Sequence, residues 1–309
     1  MDILFINHQK SQCGIYEIGK RISSLLDKTI LPIEYIETPV HGENKFRLAM
    51  ESYKPKYVIV NYYVSTLPYI NKRLLDQYPN THFIGIIHDP LSEHMIRMYE
   101  STFDCWILHD DTNTIVSKNK FLTVRPVPRF ERKERERGVL NIGSHGFSVS
   151  PWKMFDQIIS YINSEFDEVN INMNITQATF GGGDDTHRFN EWKKIITKPK
   201  INLNLSNHYF ETENELINFL SNNDLNVYFY NASRDVGIGG SADLAISSRS
   251  SLVVNSTHMY KHLHPHIGYY EQTGKLSSFL DNNNKIQELY DMWSPERITD
   301  DYKKMIETL

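Results

Sequence analysis

Short apolar runs separated by stretches of helix length limit the fold of this chain more than any other feature. In the first part they are Ile3 to Ile6, Ile33 to Ile36, Tyr57 to Tyr62, Phe83 to Ile87, Cys105 to Leu108 and Leu122 to Val124. In the second they are Val139 to Ile142, Val169 to Ile175, Ile201 to Leu205, Asn226 to Tyr230 and Leu252 to Val254. Runs this short and this apolar suit strands buried on both faces, as in parallel sheets covered by helices. The stretches between several of them carry helical periodicity: Ile15, Ile18, Ile22, Leu25 and Leu26 recur at three and four. Strand, crossover helix and strand in repetition predict an α/β protein with Rossmann-like, doubly wound sheets.

From Arg125 to Gly138 proline pairs and alternating charge mark a solvated connector. A chain of 309 residues is comfortable for two cores of about 150 each. The expected division is an N-terminal Rossmann-like domain over 1–126, a C-terminal one over 127–285, and terminal helices over 286–309. Ser294 and Pro295 suit the N-cap and first turn of the last helix, whose Ile298, Tyr302, Met305, Ile306 and Leu309 need a surface to cover.

Composition narrows the function classes. No apolar run approaches the ~18 residues of a bilayer crossing, and the start, Met-Asp-Ile-Leu-Phe-Ile, has no basic region ahead of its apolar residues. No transmembrane segment or signal peptide is therefore expected, and the expected location is cytoplasmic, with peripheral membrane contact left open. A formal charge of −5 works against a sequence-independent grip on nucleic acid. Cys13 and Cys105 form neither a disulfide framework nor a zinc cluster. His258, His262, His264 and His266 crowd together, but Pro265 interrupts them, so packing and capping are expected there and no metal site. Phe180 to His187, with three glycines and two aspartates, reads as a surface loop.

The chemistry is expected at Asp235 to Asp243, read as Asp-Val-Gly-Ile-Gly-Gly-Ser-Ala-Asp, between a strand and a helix of small residues. Gly237, Gly239 and Gly240 let backbone approach a ligand closely, and a helix beginning at Ser241 points free N–H groups at an anion. Two acids with seven residues between them on such a turn resemble the acidic pair of retaining GT-B glycosyltransferases of the family 4-like group. The first βα loop, with Gly14, is similar too. His88, just after an apolar strand, matches the family's sugar-facing histidine, although Asp89-Pro90 alone would read as a turn. Gly143, Ser144 and Lys153 match its phosphate-contacting region. The chain departs from the pattern where both acids are Asp rather than Glu, and where Ser144 stands in the place of an Arg. Arg234 is a candidate for the missing cation.

The resemblance implies two such domains facing a cleft and a terminal helix returning to the first. It also implies a hexosyl- or pentosyltransferase that moves a sugar from a nucleotide-sugar donor with retention, with no cofactor or metal ion required. Asp235 would sit by the sugar ring and Asp243 by the ribose hydroxyls. Gly239, Gly240 and Ser241 would offer N–H groups to phosphate, Lys153 would neutralise it, and His88 would hold the sugar. The acceptor stays open among glycan, lipid-linked sugar, protein, small molecule and modified DNA base. The rival reading is a non-catalytic GT-B-like protein that binds sugar nucleotides or serves assembly.

Overall fold

The computed structural model describes the chain apart from residues 1, 10–12, 27–32, 40, 89–90, 133–137, 148–150, 177–186 and 232–236. It divides into two compact units. One comprises Met1–Pro126, Val236–Ile238 and Pro295–Leu309, the other Val127–Asp235 and Gly239–Ser294.

The first unit runs β1 (Ile3–His8), α1 (Gly14–Leu26), β2 (Ile33–Thr38), α2 (Glu43–Tyr53), β3 (Tyr57–Tyr62), α3 (Lys72–Leu75), β4 (His82–Ile87), α4 (Glu93–Thr102), β5 (Cys105–Leu108) and β6 (Lys120–Leu122). Its sheet has the order β2-β1-β3-β4-β5-β6 with every pair parallel. All residues of β1 and β3 are buried, as strands covered on both faces must be. Helix α2 lays Phe46, Ala49 and Met50 into a core with Leu4, Val58 and Val60. Strand β6 lies at Lys120–Leu122, ahead of the apolar run Leu122 to Val124, although the Thr123 N–H still reaches the Leu108 carbonyl at 3.1 Å.

The second unit contains β7 (Asn141–Phe147), α5 (Phe155–Glu165), β8 (Val169–Thr176), α6 (His187–Lys193), β9 (Ile201–Ser206), α7 (Glu213–Ser221), β10 (Leu225–Tyr228), α8 (Ser241–Ser248), β11 (Ser251–Val254), α9 (His264–Ile267) and α10 (Asn283–Met292). The sheet order is β11-β10-β7-β8-β9, again all parallel. Helix α11 (Pro295–Glu307) packs against α1 in the first unit, burying Ile298, Tyr302, Met305 and Ile306. Its neighbour α10 belongs to the second unit. Ile286, Leu289 and Tyr290 of α10 are buried where it packs on α8, α9 and β11.

One face of the second sheet carries rows of asparagine amides set by strand register. Asn202 donates to Asn170, which donates to Asn141, at 3.0 and 3.1 Å. Asn204 donates to Asn172, which donates to Asn223, at 3.0 and 3.1 Å. Gly143 lies on the second row, paired with Asn172 and Asn226, and the Asn223 amide fills the place of its missing side chain. A Cβ on Gly143 would stand 2.1 Å from Asn223 Nδ2. Gly143→Ala is expected to cost about 1–3 kcal/mol by overpacking. Thermal unfolding checks this, and Asn223→Ala in the same chain is expected to restore part of the loss.

Candidate functional site

In open parallel sheets, ligands bind outside the carboxyl ends of the strands where neighbouring crossovers leave in opposite directions. The sheet orders place that point between β1 and β3 in the first unit and between β7 and β10 in the second. Polar and cationic side chains collect at both.

In the first unit the strand ends present Asn7, His8, Asn61, His88 and His109, all buried. His88 Nε2 lies 2.6 Å from Asn61 Oδ1, and Asn61 Nδ2 donates to Asn7 Oδ1 and to the Ile15 carbonyl, each at 2.8 Å. Helix α1 closes over the amides because Gly19 has no side chain; a Cβ there would stand 2.4 Å from Asn61 Nδ2. Burial holds the His88 imidazole well below its ordinary pKa, with Arg125, His109 and His8 acting in the same direction. His88 is therefore neutral at pH 7. Arg125, which the sequence assigns to the solvated connector, is 4% exposed, and its Nη2 donates to the Ile238 carbonyl at 3.0 Å.

In the second unit the strand predicted to stop at Ile142 continues to Phe147, since Asn-Ile-Gly-Ser-His-Gly-Phe alternates faces without a breaker. Gly143 and Ser144 thus lie within β7 rather than in a loop, and Ser144 is fully buried. A 3₁₀ turn, Pro151–Lys153, precedes α5 and leaves Trp152 37% exposed. Lys153, part-buried, reaches back to donate to the Phe147 carbonyl. Gly146 leaves room for it, with Lys153 Nζ 2.8 Å from where a Cβ would be. Desolvation pulls the Lys153 ammonium down to about 8. The turn is tied to the strand ends by Asn231 N–H donating to the Trp152 carbonyl at 2.7 Å and by Asn255 bonding both backbone groups of Tyr230 at 2.7 and 3.0 Å.

Asp235 and Arg234 lie outside the described residues, as do Asp89, Pro90 and most of the glycine loop after Phe180. Gly237 has φ 84°, the left-handed region that glycine tolerates. Gly239 N–H is taken by the Met259 carbonyl at 2.9 Å, while Gly240 is the N-cap of α8 without a side-chain cap. Ser241 is hydrogen-bonded to the Tyr260 hydroxyl, whose pKa burial pushes up. Asp243 is fully buried in the first turn of α8, its Oδ1 3.5 Å from His262 Nε2, and His262 stacks on Trp293. The clustered histidines diverge: His264 Nε2 meets the Asn255 carbonyl at 3.0 Å, His266 meets the edge of Trp293, and His258 is exposed. Among the described residues no group of His, Cys, Asp or Glu is arranged to hold a metal ion, and no helix is long and apolar enough to cross a membrane.

Asn7, Asn61, His109, Arg125 and Gly19 were not singled out from the sequence as site residues. A signal for the asparagines exists: each is a lone amide inside an otherwise apolar strand, where burial demands a partner.

His145 offers a test of the second unit's polar face. Its ring contacts those of Phe147 and Phe210, and burial, with Lys153 adding to it, lowers its pKa to about 3. Above pH 6.5 it is neutral folded and unfolded. As pH falls below 6.5 the unfolded chain takes up a proton that the folded one refuses, so stability drops until pH nears 3. His145→Phe is expected to remove about 2 kcal/mol of the loss between pH 6.5 and 5, at ~1.4 kcal/mol per unit. Urea midpoints measured across that range check it.

No protein-family model matches the sequence, and no match was found among curated proteins. Solved structures do match it. HepE from Anabaena in complex with UDP-glucose is 12% identical, with 100% of each chain covered and a TM-score of 0.69. AviGT4, a glycosyltransferase involved in avilamycin A biosynthesis, is 11% identical over 99% of this chain and 96% of its own, with a TM-score of 0.60. An α-glucosyltransferase in complex with UDP-glucose and DNA containing an abasic site is 12% identical over 97% and 94%, with a TM-score of 0.56. At these identities it is the fold that is shared: this chain has the two parallel-sheet α/β units of the GT-B glycosyltransferase structures.

Proposed function

We propose that the protein is a glycosyltransferase that moves a sugar from a nucleotide-sugar donor to an acceptor, with retention of configuration. The observation that carries the reading is the cation at the second switch point: Lys153, seated in the Gly146 notch at the end of β7, beside the strand that leads into the glycine turn and α8. HepE, which shares the fold over the full length of both chains, was solved in complex with UDP-glucose, which makes a uridine diphosphate sugar the donor to try first.

Roles follow from chemistry. A departing diphosphate builds negative charge, which Lys153 and the N–H groups of Gly240 and Ser241 at the start of α8 would offset. His88, neutral, would hold a sugar hydroxyl. Asp235 is assigned to the sugar by the family resemblance, and Asp243 to the ribose. Asp243 faces His262 inside the protein, so a ribose would reach its carboxylate only if that pair opens. Retention would follow from the donor being held on one face while the acceptor oxygen attacks from the side the diphosphate leaves. The acceptor class is open.

The non-catalytic reading draws its support from two of the same observations: Gly239 N–H is spent on Met259, and Asp243 is fully buried. Release of the nucleoside diphosphate from UDP-glucose and other sugar nucleotides by purified protein separates the two. Turnover abolished by Lys153→Met supports the transferase, whereas binding without turnover for every donor and acceptor offered supports the rival.

Lys153 also sets a pH dependence. Its ammonium is lost near pH 8 in the free protein, and a bound diphosphate favours the charged form. UDP affinity is therefore expected to fall by up to about tenfold per pH unit above 8, with proton uptake on binding. Calorimetry from pH 7 to 9.5 checks it, and Lys153→Met is expected to bind weakly at every pH.

A further inference from the structure

We propose that Asn61 is a positioning residue: it holds His88 in the tautomer whose Nδ1 keeps its lone pair, offered to a hydroxyl of the sugar donor. This rests on the transferase reading above and adds to it the residue that decides what His88 can recognise.

A backbone group fixes the first atom. His8 N–H donates to Asn7 Oδ1 at 2.9 Å, and a backbone N–H can only donate, so that end of the Asn7 amide is oxygen. The other end donates to the Tyr16 carbonyl at 3.0 Å and the Tyr35 hydroxyl at 2.9 Å. Asn61 then has its NH₂ between two acceptors, Asn7 Oδ1 and the Ile15 carbonyl. Its own oxygen is left facing His88 Nε2 at 2.6 Å. Two lone pairs do not share that distance, so Nε2 carries the proton. Gly19 brings the α1 backbone against both amides, and turning either over would set like against like at every one of these bonds.

The ring does not take a second proton at neutral pH, being buried beside Arg125, His109 and His8. Nδ1 is therefore a bare acceptor, and among the described residues nothing bonds it. Such an atom accepts from a hydroxyl and repels phosphate and carboxylate oxygens, which also only accept. It sorts the sugar end of a sugar nucleotide from the phosphate end.

The full chain labelled with ¹⁵N-histidine gives the test, with the His88 signals identified by their loss in His88→Gln. Long-range ¹H–¹⁵N spectra at pH 7 are expected to show His88 as the neutral Nε2–H form. The Nδ1–H form or an imidazolium overturns the proposal. Asn61→Leu is expected to mix the tautomers and to lower kcat/KM for UDP-glucose at least tenfold, and no further when His88→Gln is added. An unchanged kcat/KM, or additive losses, overturns it. Should Asn61→Leu not fold, Asn61→Asp keeps an acceptor opposite Nε2 while its charge raises the His88 pKa against His8, His109 and Arg125. In that variant kcat/KM is expected to rise with pH as the ring sheds its second proton, and a flat profile overturns the assignment. A wild type that turns over no sugar nucleotide while His88 stays Nε2–H ends the transferase reading and the Nδ1 role with it; the opposite tautomer with intact turnover ends this proposal alone.

Discussion

Parallel strands cannot be joined by hairpins, so each connection must cross the sheet and return, and the carboxyl ends of all strands in a sheet finish on the same edge. That constraint orders everything else in the molecule. Between β1 and β3, and again between β7 and β10, the crossovers part in opposite directions at the strand ends. Polar groups that cannot be tolerated within the strands find partners there. Asn7 and Asn61 bond one another at the first edge, and Lys153 finds the Phe147 carbonyl at the second.

Burial then turns these groups into chemical instruments. A histidine in water spends its nitrogens on whatever is near, but His88 has one nitrogen committed to an amide that is itself committed on every side. Lys153, desolvated, sits close to the point where its charge becomes conditional. Both effects arise from ordinary strand-end packing.

Much of the architecture is legible in the sequence because parallel strands are apolar throughout: Tyr57 to Tyr62 and Cys105 to Leu108 appear in the structure with the bounds the pattern gives. The legibility fails where a strand carries polar residues for a tertiary reason. Gly143 and His145 look like loop residues when read locally, yet register with Asn172 and Asn174 keeps them in β7. At the site, His88 and Lys153 can be picked out by type and place. The asparagine pair cannot, since its meaning depends on a glycine in α1 and on a strand more than fifty residues away. Arg125 misleads for a related reason: it opens a charged stretch in the sequence, yet its guanidinium is buried against the Ile238 carbonyl.

The amide rows on the second sheet tie together positions that lie far apart in the chain. Asn202, Asn204, Asn170 and Asn172 each spend the NH₂ on a neighbouring amide oxygen, so replacing one leaves the next with an unmet group. Asn170 and Asn202, or Asn172 and Asn204, each 32 residues apart, are thereby bound to a common fate. In related chains a row would be inherited whole or dissolved whole, and its drift would show as blocks of joint change across β7, β8 and β9 while the apolar side of the same strands varies one residue at a time.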